Sequence, residues 1–153
     1  MTLLRPSSPA FADLRVGDTL PGLTRGPLTP LHLMRFSAAI ENWHRIHYDE
    51  RFAVEHDRLP GLLVSGSWKQ HLVAQMVRAW AGPDGWLAEL EVQFRRMNVA
   101  GETLTAWGTI TGLDAAGGRG VVTCDVGIRN ADGMESSPGR AIAYLPVSPS
   151  GAP

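Results

Sequence analysis

The spacing of hydrophobic residues changes partway along the chain. Over residues 66–80, Trp68, Leu72, Val73, Met76, Val77 and Trp80 recur at i, i+4, i+5 and i+8, while Lys69, Gln70, Gln75 and Arg78 take the other sides. That stripe predicts a long helix with one face on a core. Ala81-Gly82-Pro83 supplies its stop. A shorter helix is predicted over 30–41. Thr29 is a good N-cap, and Pro30 at the first helical position gives up an N–H that would be unpaired anyway. Leu33, Phe36 or Ser37, and Ile40 then follow at helical spacing.

From residue 88 the period falls to two. Ala88, Leu90, Val92 and Phe94 alternate with Glu89, Glu91 and Gln93. Leu104, Ala106, Gly108 and Ile110 alternate with threonines and Trp107; Val122, Cys124, Val126 and Ile128 alternate with Thr123 and Asp125; Ala141, Ala143 and Leu145 form the last run. Such alternation predicts half-buried antiparallel strands. Turn residues separate them at 98–101, 116–118 and 132–133, and Asp132-Gly133 reads as a two-residue hairpin. A short strand is expected near 18–24 and a short helical stretch near 50–55. One long apolar helix followed by a strand meander predicts an α+β fold, with an antiparallel sheet wrapped around the helix. A single sheet around one helix leaves edges and a face to cover, so at least a dimer is expected.

Composition adds limits. The 153 residues suit one domain, taken as 11–146, with Pro-, Ser- and Gly-rich tails at 1–10 and 147–153. Fourteen basic and fifteen acidic residues leave a net charge of -1, with no electrostatic footprint for nucleic acid or an anionic membrane. No apolar run approaches the roughly 20 residues of a membrane span. The N-terminus has no apolar stretch long enough for a secretion signal, so a cytoplasmic protein is expected. Cys124, the one cysteine, falls in a strand run and reads as a small core residue.

The densest polar cluster is Glu41-Asn-Trp-His-Arg-Ile-His-Tyr-Asp49, in a connection, where functional residues concentrate. Histidine exchanges protons near neutral pH, so His44 and His47 are candidates for acid–base work and equally for polar loop residues. Metal binding is not expected: there is no adjacent cysteine and no clear third ligand. Gly-x-Ser-x-Gly is absent around Ser65, as are a phosphate loop and a dinucleotide fingerprint. Pro60-Gly-Leu-Leu-Val-Ser-Gly66 leads directly into the long helix, whose first N–H groups are unpaired and suit an oxygen gaining negative charge. Gly66 either lets a ligand approach that backbone or merely eases entry into the helix.

His44-Arg-Ile-His-Tyr-Asp49 with Phe52-Ala53, then Pro60–Gly66, then Phe94-Arg-Arg-Met-Asn-Val-Ala-Gly-Glu-Thr-Leu104 resembles the MaoC-like hydratase/dehydratase family over most of 12–145. The Asn-x-His-x-Ile-His-Tyr pattern is closest to its mesaconyl-CoA hydratase and type 2 3-hydroxyacyl-thioester dehydratase branch. The resemblance implies a hot-dog fold and reversible hydration of a trans-2-enoyl thioester carried on CoA or an acyl carrier, with no cofactor. His47 matches the family's histidine, and Asn42 stands where an aspartate is usual. An amide cannot take a proton. His47 is therefore expected to be the acid–base residue, Asn42 to orient water, and Gly66 N–H to steady the thioester oxygen. His44, Tyr48, Val64, Ser65 and Arg95 are the expected substrate contacts. The assembly implied is a homodimer or dimer of dimers, or a heteromer with a related subunit. Two rival readings stay open: a hot-dog thioesterase, and a non-catalytic subunit of a heteromeric dehydratase.

Overall fold

The computed structural model describes residues 7–147. Its elements are β1 (Leu23–Arg25), α1 (Pro30–Ala39), α2 (Gly66–Ala81), β2 (Trp86–Val92), β3 (Leu104–Ala116), β4 (Arg119–Asn130) and β5 (Glu135–Pro146). The five strands form one antiparallel sheet in the order β1-β3-β4-β5-β2. The sheet curls so that α2 touches all five strands. This is the α+β arrangement expected from the change of period, and it is the hot-dog fold.

The core lies between α2 and the concave face of the sheet. Leu72, Val73, Met76 and Val77 pack from the helix; Leu104, Ile110, Val122, Val126, Ile128 and Leu145 pack from alternate strand positions. Cys124 is fully buried among them, and burial pushes its thiol up to about 11, which keeps it protonated and inert. Trp68 and Trp80 are only partly buried, at the margin of this core.

Most departures from the expected elements have a local cause. α1 ends at Ala39 rather than 41, because Glu41 takes a left-handed φ of 54°. α2 runs one residue further than expected, to Ala81, before Gly82 turns the chain with φ 74°. β2 spans 86–92, so Phe94 lies beyond it, exposed. The expected strand near 18–24 divides into an isolated bridge from Thr19 to Thr109 and the three-residue β1. The helical stretch near 50–55 is a π-type turn over Phe52–His56.

Asp132-Gly133 does not make a two-residue hairpin. Asn130 N–H donates to the Met134 carbonyl, closing a three-residue loop. The Asn130 side-chain oxygen accepts from the N–H groups of Asp132 and Met134, at 3.1 and 2.9 Å, and Gly133 takes φ 78°. Gly117-Gly118, by contrast, does close a two-residue turn between paired Ala116 and Arg119.

Lys69 is the largest correction. The hydrophobic stripe assigns it to a polar side of α2, yet it is only 2% exposed. Its Nζ donates to the Arg96 carbonyl at 2.9 Å and to Asn98 Oδ1 at 3.3 Å. Asn98 Nδ2 in turn donates to Glu102. No described helix is long and apolar enough to cross a membrane. Of the N-terminal tail, Ser8 lies within the described residues, and its Oγ accepts a hydrogen bond from Asp84 N–H at 3.0 Å. Residues 1–6 and 148–153 of the two tails lie outside the described residues.

Candidate active site

His47 ends a 3-10 turn, Arg45–His47, that follows α1. It is 7% exposed, whereas His44 is exposed, with its ring 6.2 Å from that of His47. His47 Nδ1 lies 2.8 Å from the carbonyl oxygen of Leu63. A carbonyl can only accept, so Nδ1 carries the proton, and Nε2 has no partner among the described residues. The ring is therefore fixed in one tautomer with the basic nitrogen free. Neither His44 nor Asp49 provides this orientation.

Asp49 is engaged elsewhere. Its Oδ1 accepts from Phe52 N–H at 3.0 Å, and its Oδ2 accepts from Arg45 at 2.7 and 3.1 Å. The Phe52 N–H, and then the Arg45 guanidinium, hold its carboxyl below the usual carboxylate range. The pair is solvent-facing and turn-forming.

The segment that receives His47 is tied down from both sides. Leu63 N–H donates to the Ile46 carbonyl at 2.9 Å, and Val64 N–H donates to the Asn98 carbonyl at 2.8 Å. Ser65 then caps α2, its Oγ accepting from Trp68 N–H at 3.1 Å. The N–H of Gly66 has no acceptor among the described residues, at the positive end of a 16-residue helix. A Cβ on Gly66 would meet the Phe94 ring at 2.8 Å, so glycine lets that ring lie over the helix start. His47, Leu63 and Ser65 line one tight crevice with Ser37, Phe36 and Trp68.

The other expected residues are spread more widely. Asn42 is half-buried; its Oδ1 accepts from His44 N–H at 3.2 Å, which leaves its amide donors unassigned. Tyr48 OH donates to the Trp43 carbonyl at 2.8 Å, bracing the turn. Val64 is a core residue with its N–H already used. Arg95 is exposed, bonds to Gln93, and borders a second cleft beside Gly66 with Lys69 and Arg96. Sequence reasoning missed the Leu63 carbonyl, because a backbone acceptor leaves no mark on residue type. Ser37, the alternative to Phe36 in the α1 stripe, is buried beside the same crevice. Among the described residues, no three His, Cys, Asp or Glu side chains gather as metal ligands.

The fold has many solved counterparts. It is similar to the R-hydratase PhaJ1 from Pseudomonas aeruginosa, with TM-score 0.79 and 18% identity over 92% of this chain and 88% of that one. It is also similar to an (R)-hydratase from A. caviae involved in PHA biosynthesis, with TM-score 0.78 and 21% identity over 88% and 98%. A chain of the ChsH1-ChsH2 complex from Mycobacterium tuberculosis matches with TM-score 0.75 and 23% identity over 86% and 98%. No curated protein matches in sequence. The family model for hydroxyacyl-thioester dehydratase type 2 matches residues 22–102, just over half of the chain and the whole span from β1 through His47 and α2 to the loop beyond β2. The chain therefore belongs to the hydroxyacyl-thioester dehydratase type 2 family, among the MaoC-like hot-dog proteins.

Proposed function

We propose that this protein reversibly hydrates a trans-2-enoyl thioester, with His47 as the general acid and base. The observation that carries the reading is the buried His47 ring, whose Nδ1–H is held by the Leu63 carbonyl beside the start of α2. In the hydration direction, Nε2 takes a proton from water as the water oxygen bonds to C3. The C2=C3 electron pair moves toward the thioester carbonyl, whose oxygen gains charge at the Gly66 N–H. The enolate-like carbonyl then re-forms, and Nε2 returns its proton to C2. Dehydration is the reverse. Asn42, with Oδ1 on the His44 N–H, uses its free amide donors to hold the water oxygen. Acid–base help of this kind is worth about 10²–10⁴-fold, and one oxyanion donor about 10²–10³-fold.

A second reading has its own support. Asn42 stands where the family resemblance leads one to expect an aspartate, and one similar structure is a complex of two named chains. On that reading the protein acts only beside a related subunit. Purified protein incubated with crotonyl-CoA distinguishes the cases. The expected result is loss of enoyl absorbance without release of free thiol. Thiol release would point to a thioesterase, and inactivity reversed by a co-expressed partner would point to the heteromer.

A further inference from the structure

Lys69 stands where stability alone would not put a cation. It is the fourth residue of α2, and helical side chains lean back toward the helix start, so its ammonium lies by the positive end of the dipole. It is buried, and a buried charge is costly unless a counter-charge meets it. Among the described residues no ion pair includes it. Glu102 is joined to it through Asn98, whose Nδ2 donates to Glu102 Oε2 at 3.0 Å. The other charged side chains on this wall, Arg95 and Arg96, are cations too. The fold accordingly disfavours the charged form: burial brings the ammonium down to about 8, against the pull of Glu102. The Arg96 carbonyl and Asn98 Oδ1 need N–H donors, not a charge, and they occupy two of the three N–H groups.

What the charge can serve lies in the same cleft. Lys69 and Gly66 both line an open space of about 510 Å³ into which no Asp or Glu projects. Phe94 links the two: its ring lies against the Gly66 backbone, and its centroid is 5.7 Å from Lys69 Nζ. The proposed hydration places negative charge on an oxygen at the Gly66 N–H. A cation fixed in advance at the edge of a site shielded from water acts on such charge without having to touch the oxygen.

We propose that the Lys69 ammonium stabilises the enolate-like intermediate that forms at the start of α2. This deepens the hydratase reading and rests on it for the place of the thioester oxygen. The test uses acetoacetyl-CoA, which has no C2=C3 bond to hydrate but loses a C2 proton to give an enolate that absorbs in the near ultraviolet. Bound to the wild-type protein, its enolate-forming equilibrium constant is expected to rise on the order of 10²-fold over that of the free ester. That excess should begin to fall as pH passes about 8 and the ammonium is lost. Lys69→Met, which keeps a buried aliphatic stem, is expected to lose about tenfold of it while binding butyryl-CoA within about twofold of wild type. An excess that stays level well past that pH overturns the proposal, and this measurement needs no variant. So does an ordinary spectrum for bound acetoacetyl-CoA, or an equal excess in Lys69→Met. A matching loss of butyryl-CoA binding in the variant also overturns it, because Lys69 would then be gripping the carrier. Because the enolate is read without turnover, its stabilisation by a protein that fails to hydrate crotonyl-CoA would count against the hydratase reading alone.

Discussion

His47→Ala is expected to lower kcat for enoyl-thioester hydration by about 10²–10⁴-fold while the fold persists. The substitution removes the only free basic nitrogen in the tight crevice beside α2. It also strips the Leu63 carbonyl of its donor, a stability cost of about 1–3 kcal/mol. His47→Gln separates the two effects, because an amide can still donate to that carbonyl but cannot carry protons. The glutamine variant should therefore recover stability and not activity. Crotonyl-CoA absorbance measures the rate, and urea denaturation measures the stability. A drop in rate of less than tenfold in His47→Ala would overturn the assignment.

Lys69→Ala is expected to give the largest loss of stability, about 2–4 kcal/mol by urea denaturation. It opens a void beneath the start of α2 and leaves the Arg96 carbonyl and Asn98 Oδ1 without their donor. The pH dependence is also specific. Burial lowers the Lys69 ammonium from 10.5 to about 8, while the Glu102 charge opposes the shift. Above about 8 the folded chain has released this proton, whereas the unfolded chain holds it until about 10.5. The unfolded state thus binds more protons in that window, and stability rises with pH through it. The gain relative to Lys69→Met should be on the order of 1 kcal/mol between pH 7.5 and 10. Parallel pH profiles for the two proteins would show that Lys69 is not held in the way described.

Long periodic elements were legible because burial repeats along them. The α2 stripe and the alternation in β3 and β4 identified the layers and most of the core. Lys69 shows where that reading fails. Residues 69, 72, 73 and 76 stand at i, i+3, i+4 and i+7, so spacing alone put Lys69 on the buried face, and its charge argued otherwise. An aliphatic stem with two acceptors at its tip resolved the conflict. At the site, His47 stood out by its motif, but its partner did not. Leu63 acts through a carbonyl, sixteen residues away, and any side chain would serve there.

The Leu63 peptide has a kinetic consequence. Its N–H is held by Ile46 and its carbonyl holds His47, while two residues later the same stretch caps α2. The proposed base and the proposed oxyanion donor therefore hang from one short piece of backbone. They keep their spacing through any motion that leaves this stretch intact, and the site needs no closing step to bring them together. Local opening of 62–65 would release both groups in a single event, so that the chain is either fully competent or silent, without a half-assembled state.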